Sequence, residues 1–257
     1  MSTLIDFLNN NWLNLLAILW FLLCFNDYMK YASARSYRST DNSPSLASEL
    51  HQYRFQWMLR VLTREMRIAD NAAIANLEKA KSVPTKHILF ASTTMLILAG
   101  LITILGSTEK AIHLIEGLPF AVPTDRSEWE IKVITLIFIF VYAFFKFTWS
   151  LRQYGFVTIM VGGAPTPNEQ CSDDERKALA SRMASMASMA ANNFNSGLRT
   201  YYFSIAMLTW FINPWVFMVA SALIVFILFR REFKSTTLKI LMGQHDSARK
   251  STPTTYR

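Results

Sequence analysis

"YYFSIAMLTWFINPWVFMVASALIVFILFRREF", residues Tyr201–Phe233, is the most hydrophobic long stretch of the chain, and it decides the topology. Twenty-nine uncharged residues run from Tyr201 to Phe229, with Asn213-Pro214 in the middle and two arginines directly after. As a continuous helix they would extend about 43 Å, whereas a bilayer core is about 30 Å thick. The stretch is too long for one untilted crossing and short for two full ones.

Composition places the whole chain among membrane proteins. Its 257 residues are 52% hydrophobic and only 17% charged, and the mean hydropathy is +0.21. Soluble domains carry about 25% charged residues. We therefore predict an all-α, polytopic helical membrane protein with a single membrane domain over residues 1–235. Besides the hydrophobic stretch 201–229, three long apolar runs are predicted to span the membrane, at about 11–26, 88–106 and 131–152. Residues 1–10 lack Lys and Arg, so the first run is interpreted as a retained span and not a signal peptide.

The distribution of Lys and Arg predicts which side each polar stretch faces. Residues 27–87 hold ten of the 26 basic residues, the loop between the second and third spans has three counting Lys132, and residues 151–200 have five. Basic residues concentrate on the cytoplasmic side of membrane proteins. The N-terminus is therefore predicted to face outward, in a bacterial inner membrane, with both long polar stretches inside.

The same rule predicts the topology of the hydrophobic stretch 201–229, because seven more basic residues follow Phe229. With Lys146 of the third span left out of the count, a single crossing would leave 15 basic residues inside and 10 outside, whereas a hairpin turning at Asn213-Pro214 gives 22 inside and three outside. We predict the C-terminal hydrophobic hairpin on this ground. A kinked fourth span over residues 201–229 is the alternative, since transmembrane helices tolerate proline.

Two amphipathic or small-residue helices are predicted on the cytoplasmic side, at about 53–80 and 173–197. Ser172 is a predicted N-cap of the second, because acids follow it in the first turn. The third span is expected to continue beyond the membrane and to stop at the glycine and proline residues of 162–165. After the first span, the Ser-rich stretch at residues 33–50 is predicted to be loop, and the helical pattern begins at Tyr53. Residues 236–257 are predicted to be a polar, flexible tail.

A basic cluster near the cytoplasmic end of the third span is the first candidate functional site. It contains Lys146, Trp149, Arg152 and Gln153, of which the first, second and fourth share a helical face. Such a cluster could hold anions or anionic phospholipid head groups. The alternative is that Lys146 extends its ammonium to the interface as an ordinary snorkelling lysine.

A second polar cluster lies where the helix predicted at about 173–197 meets the hydrophobic stretch that begins at Tyr201. It contains Asn192, Asn193, Asn195 and Arg199. These amides and the guanidinium are interpreted as partners for backbone groups at a helix break, and they could equally line a passage. The turn itself is assigned to Asn213 and Pro214.

Motifs for catalysis and cofactors are missing from the sequence. It has no phosphate loop, no GxGxxG, HExxH or GxSxG, and no paired CxxC. Its four histidines lie in predicted loops or at span edges, which does not suit a membrane haem. We expect no enzymatic activity, no metal and no cofactor, and no nucleic-acid partner, because membrane topology accounts for the positive charge.

Three stretches resemble a known family: "FASTTMLILAGLITILG" (90–106), "FFKFTWSLRQYGFVTIMVGGAP" (144–165) and the region from Ala190 to Phe233. The chain looks like the bacterial membrane-protein family catalogued as domain of unknown function 599. The likeness runs from the first span to about Ser235, and Gly155 departs from the polar residue expected there. It implies a small helical inner-membrane protein and no particular activity.

The sequence favours a non-enzymatic membrane protein that forms a homo-oligomer or serves as an accessory or scaffold subunit. Its small-residue helices and many aromatic side chains are typical of helices that associate in membranes. An oligomeric channel for small ions such as anions, with a basic cytoplasmic mouth, is the alternative function.

Overall fold

The computed structural model describes residues 2–35, 45–63, 83–116, 125–165, 169 and 171–250. The described helices are α1 Ser2–Arg35, α2 Leu46–Thr63, α3 Val83–Leu105, α4 Thr108–Glu116, α5 Arg126–Gly162, α6 Asp173–Leu208, α7 Pro214–Phe233 and α8 Thr236–Lys250. A short 3₁₀ helix, Thr209–Phe211, lies between α6 and α7. Three stretches are long and apolar enough to span a membrane: Trp12–Arg35, Ile88–Leu105 and Arg126–Gly162.

The helices form two compact units. Unit 1 comprises Met1–Lys30, Thr85–Trp149 and Asn193–Phe226, and unit 2 comprises Tyr31–Pro84, Ser150–Asn192 and Ile227–Arg257. Helices α1, α5, α6 and α7 contribute residues to both.

Aromatic side chains form the core of unit 1. The ring of Phe147 on α5 is fully buried and stacks on Phe90 of α3, with ring centres 5.3 Å apart. Tyr201 of α6 packs edge-on against both rings and shares a 2.7 Å hydrogen bond with the hydroxyl of Thr94. Rigid rings thus fix α3, α5 and α6 to one another.

The surface of unit 1 is unusually apolar, while two charged side chains lie inside it. Large apolar side chains are exposed on each of its long helices: Leu19, Leu23, Leu89, Leu96, Phe138, Phe145, Val219 and Phe226. Lys132 and Arg199 are each only 3% exposed. This distribution is the reverse of that in a soluble protein, where charged residues are almost never fully buried.

The hydrophobic stretch that begins at Tyr201 reverses direction within unit 1. The ring of Phe21 on α1 contacts Phe203 at 5.8 Å and Phe217 at 5.2 Å between ring centres. A continuous helix would separate residues fourteen positions apart by about 21 Å. Helices α6 and α7 are therefore antiparallel where they pack on α1, and the reversal lies between Leu208 and Pro214.

Two side chains of α1 confirm the direction of α7. Trp210, at the reversal, donates a 3.0 Å hydrogen bond from Nε1 to Oδ1 of Asn14. One and a half turns further along α1, Trp20 donates to the carbonyl of Met218 at 3.2 Å. Contacts thus advance along α1 and α7 together, so these two helices run parallel.

Unit 2 has a core of aliphatic side chains, alanines and methionines. Helix α2 contributes Met58 and Leu62, α5 contributes Val157, and α6 contributes Met183 among small residues. The small residues at this core are Ala180, Ala184 and Ala187. Helices of the same chain occupy the close approach that these alanines allow, so the small face of α6 in unit 2 is used internally.

The predicted ends of several helices require correction, and α2 is the first. It begins at Leu46, in a stretch predicted to be loop, and not at residue 53. Ser45 and Ser48 cap each other, with N–H to hydroxyl distances of 3.0 and 3.1 Å, which satisfies donors at the helix start. The predicted continuation over residues 64–80 lies outside the described residues.

Helix α6 also differs from its prediction. It continues without interruption through the asparagine cluster to Leu208, whereas a helix over 173–197 followed by a break was expected. The helix is interrupted between Leu208 and Pro214, where the sequence predicts the turn at Asn213 and Pro214. The predicted cap is confirmed: Ser172 and Glu175 form a capping box, with N–H to side-chain oxygen distances of 2.9 and 3.2 Å. The predicted stop of α5 at Gly162 is confirmed as well.

The predicted flexible tail is wrong for residues 236–250, which form α8. The hydroxyl of Ser235 accepts a 3.1 Å hydrogen bond from the N–H of Leu238 and so caps the helix. Leu238 is buried, and Tyr53 of α2 donates a 2.9 Å hydrogen bond to the carbonyl of Leu241. Apolar burial and a cap therefore outweigh the polar composition of the segment.

Candidate functional site

Lys146, the first predicted site residue, connects two helices of unit 1. Its Nζ donates a 3.2 Å hydrogen bond to Oδ1 of Asn193 on α6 and lies 5.5 Å from the centre of the Tyr142 ring. The side chain is half-buried. An amide oxygen and an aromatic face both stabilise an ammonium, so this positive charge is held by its own chain.

Exposure divides the other members of the predicted basic cluster. Trp149 of unit 1 is 49% exposed, whereas Gln153 of unit 2 is buried. Arg152 of unit 2 is exposed and has its guanidinium 5.9 Å from the centre of the Phe156 ring. Trp149 and Arg152 are therefore available at the surface, while Gln153 contributes to the interior of its unit.

The asparagine cluster lies on an unbroken helix, so its amides do not cover a helix break. Asn193 accepts the hydrogen bond from Lys146, and Asn195 is half-buried in the same unit. Arg199 is buried, with its guanidinium 5.7 Å from the centre of the Tyr28 ring on α1. Asn192 is half-buried in unit 2.

A polar network at the α6–α7 reversal was not predicted as a site. Lys132 and Trp210 are buried in it, and Asn14 and Glu128 are half-buried. Asn14 of α1 donates from its amide to the carboxylate of Glu128 on α5, and accepts from Trp210. The ammonium of Lys132 lies 3.7 Å from the same carboxylate and 5.5 Å from the centre of the Trp210 ring. The network joins α1, α5 and the reversal through one ion pair and two hydrogen bonds.

A match to a family model identifies the family of the chain. The family model described as "Protein of unknown function, DUF599" matches residues 16–237, most of the chain. The chain belongs to the DUF599 family. No curated protein and no solved structure matches it.

In this DUF599 chain, the ion pair left one signal in the sequence. Glu128 and Lys132 are four residues apart, the spacing at which an acid and a following lysine pair on a helix. Lys132 had instead been counted with the loop that precedes the third span. Nothing local in the sequence connects this pair with Asn14 or Trp210, because those contacts depend on tertiary packing.

The indole of Trp129 adds an unusual feature to the DUF599 network. Its Nε1 is buried and has no hydrogen-bond partner among the described residues. The ring packs edge-on against Phe211, with centres 4.8 Å apart. Leaving such a donor unbonded costs free energy, so this end of the unit is maintained by aromatic packing despite that cost.

A hydrogen-bonded group around His51 in unit 2 of the DUF599 protein was likewise not predicted. Nδ1 of His51 lies 2.9 Å from the hydroxyl of Ser188, which also accepts a 3.1 Å hydrogen bond from Arg54. Burial and, secondly, the positive charge of Arg54 lower the pKa of His51. His51 therefore stays neutral at neutral pH and connects α2 to α6. Among the described residues, no group of three or more His, Cys, Asp or Glu side chains could hold a metal ion.

Proposed function

We propose that this DUF599 protein is a multi-pass protein of the bacterial inner membrane with a non-enzymatic role, assembling with copies of itself or as an accessory subunit of a membrane complex. The observation that carries the membrane part is the polarity of unit 1. Large apolar side chains are exposed on α1, α3, α5 and α7, while Lys132 and Arg199 are buried. Lipid tails are the solvent that suits such a surface.

The reversal between α6 and α7 supports a membrane hairpin. Helices that turn back at Asn213 bring the basic tail to the side from which α6 came. With the N-terminus outside, the hairpin puts 22 basic residues inside and three outside, as the positive-inside rule favours. We therefore propose three spans plus a hydrophobic hairpin, with α2 and the first part of α6 on the cytoplasmic side.

Helix α3 supports self-association. Its spanning window is 6% buried, compared with 22% for the window in α1 and 33% for that in α5. The middle of its exposed face carries small side chains, at Ser92, Ala99, Gly100 and Thr103. A Cβ atom added at Gly100 would have no neighbour within 4 Å. Small residues on a lipid-facing helix permit close helix–helix approach, so α3 is the proposed contact.

Accessibility of terminal tags tests the topology. A tag before Met1 should react with membrane-impermeant reagents in intact cells, whereas a tag after Arg257 should react only after the inner membrane is permeabilised. Reaction of the C-terminal tag in intact cells would rule out the hairpin. A tag at each terminus provides the control for the other.

Oligomeric state in mild detergent tests the assembly role. Ala99→Leu and Thr103→Leu place bulk in the middle of the exposed face of α3 and should shift the protein towards monomer. Ile104→Leu, which keeps size at the edge of that face, is the matched control and should leave the oligomer unchanged. A monomeric wild-type protein at all concentrations would contradict self-association.

An ion channel with a basic mouth remains the second candidate function from the sequence. It would need Lys146 and Arg152 to face a common pore. The hydrogen bond from Lys146 to Asn193 within one chain does not favour that arrangement. Conductance of the reconstituted protein that is lost in Lys146→Met would favour the channel over the assembly role.

A further inference from the structure

Helix α8 packs on α2, and its described side chains, residues 236–243, differ in burial from one side of the helix to the other. Leu238 is buried, and the hydroxyl of Tyr53 on α2 donates to the carbonyl of Leu241. Ile240 lies about 160° around the helix from Leu238 and is 60% exposed. A large branched apolar side chain thus lies on the side of α8 that α2 leaves uncovered.

Exposed basic residues precede this isoleucine along the chain. Arg230, Arg231, Lys234 and Lys239 are all exposed, and Glu232 is the one acid from residue 230 to 239. Only Lys234 and Ser235 separate α7 from α8, and Ser235 caps α8 immediately. The end of α7 therefore fixes where α8 begins.

Aromatic side chains accompany the basic residues in unit 2. The ring of Tyr31 packs against Phe233, with ring centres 5.4 Å apart. The guanidinium of Arg35 lies 5.1 Å from the centre of the Tyr31 ring. Trp57 lies one turn after Tyr53 on the same face of α2 and is 43% exposed. Tyr and Trp beside Arg and Lys are typical of the boundary between lipid tails and water.

We propose that α8 is an interfacial helix that lies on the cytoplasmic bilayer surface, with Ile240 in the acyl boundary and Arg230, Lys234 and Lys239 bound to anionic phospholipid head groups. The inference rests on the proposed membrane function, since α7 must be inserted for its end to reach that surface. Exposed apolar and basic side chains together suit such a surface, because apolar burial and attraction to anionic lipid reinforce each other.

A bilayer suits this surface better than a protein partner does. The two-residue link keeps α8 beside the end of α7, where Ile227 is still exposed and apolar. The exposed apolar side chains of α7 thus continue to within three residues of Arg230. A surface that is continuous with a lipid-facing helix, and positively charged where that helix ends, matches the head-group region of an anionic leaflet.

Collision rates of nitroxide labels test the position of α8. In a background of Cys24→Ser and Cys171→Ser, single labels are placed at Ile240→Cys, Phe138→Cys and Asp174→Cys. The full-length protein is reconstituted in nanodiscs of phosphatidylcholine, with and without phosphatidylglycerol. Oxygen concentrates in lipid and a nickel chelate in water, so their relative collision rates report depth. Phe138 is the lipid reference and Asp174, exposed at the start of α6, is the aqueous reference.

The label at 240 is expected to give an oxygen-to-nickel ratio between those at 138 and 174, and a higher ratio when phosphatidylglycerol is present. Neutralising Arg230, Lys234 and Lys239 to Gln should move the label at 240 towards the aqueous reference. Neutralising Arg60, Lys177 and Arg182, three other exposed basic residues of unit 2, is the control and should leave the ratio unchanged.

Two results would overturn the inference and leave the proposed function intact. The first is an aqueous ratio at 240 together with a lipid ratio at 138. The second is low collision with both reagents at 240, which would show that a protein surface covers α8. An aqueous ratio at 138 would instead contradict the proposed membrane function itself.

Discussion

Gly197 of α6 packs directly on the ring of Phe147, so that a Cβ atom at position 197 would lie 2.6 Å from Cε1 of the phenylalanine. The ring cannot yield easily, because it is fully buried and contacts Phe90, Phe194 and Tyr201. The absence of a side chain at 197 therefore sets the distance between α5 and α6 at this level.

Gly197→Ala should destabilise the protein by about 1–3 kcal/mol, since overpacking a tight core outweighs the better helix propensity of alanine. Unfolding in detergent with increasing dodecyl sulfate, followed by circular dichroism, measures the change. Gly155→Ala is the matched control, because no atom lies within 4 Å of the added Cβ. Equal stability of the two variants would contradict the tight contact.

Glu128→Gln should destabilise the protein by about 1–3 kcal/mol, because it leaves the buried ammonium of Lys132 without its counter-charge, while the 23% exposure of Glu128 keeps the loss below that of a fully buried pair. The double variant Glu128→Gln/Lys132→Met should recover part of that loss, since it removes the unpaired charge. The same unfolding measurement on both variants and on Lys132→Met completes a double-mutant cycle. Additive losses would show that the two side chains do not interact.

Trp210→Phe should cost about 0.5–1.5 kcal/mol, because the half-buried amide oxygen of Asn14 loses its donor. Phenylalanine can keep the stack on Phe217, whose ring centre is 5.3 Å away. Trp215→Phe serves as the control, because Trp215 is exposed. Comparable losses in both variants would show that general loss of indole area, and not the hydrogen bond, is responsible.

Acidification from about pH 7.5 to 5.5 should weaken unit 2 through His51. Because its pKa in the folded protein lies below the ordinary value of about 6.5, the unfolded chain takes up a proton first as the pH falls. The free energy of unfolding should therefore decrease across this range. Glu175, whose pKa is lowered by the N–H and hydroxyl of Ser172, acts in the same direction but below this range.

His51→Gln should flatten that pH dependence and leave the stability at pH 7.5 nearly unchanged, since the amide can still accept from Ser188. His113→Gln removes an exposed histidine of α4 and should keep the wild-type slope. Thermal unfolding monitored at several pH values measures both. An unchanged slope in His51→Gln would contradict the role assigned to this histidine.

Three described helices that are long and apolar enough to span a membrane could be predicted from sequence, because long uncharged runs need no tertiary context. The continuity of α6 could not, since Asn192, Asn193 and Asn195 are poor helix formers whose preference is outweighed by packing on α5. Composition also misled at residues 236–250, where one cap and the burial of Leu238 suffice to form a helix.

For the candidate site, too, local features could be predicted from the sequence, whereas contacts between distant residues could not. Lys146 was noticed because a charge in an apolar run stands out, but its partner Asn193 lies 47 residues later and could not be assigned. The network of Asn14, Glu128 and Trp210 spans three separate stretches of sequence. Only the spacing of Glu128 and Lys132 was visible in advance, because a helix imposes it locally.

The reversal at Asn213-Pro214 has a consequence for how the chain enters the bilayer during synthesis. Proline has no N–H, the side chain of Asn213 accepts the N–H of Trp215 at 2.8 Å, and the N–H groups of Ile212 and Asn213 bond to Thr209. In the proposed orientation, few bare amides therefore meet lipid at the tip. The insertion machinery can admit both arms together, and no charged residue of the tail needs translocation.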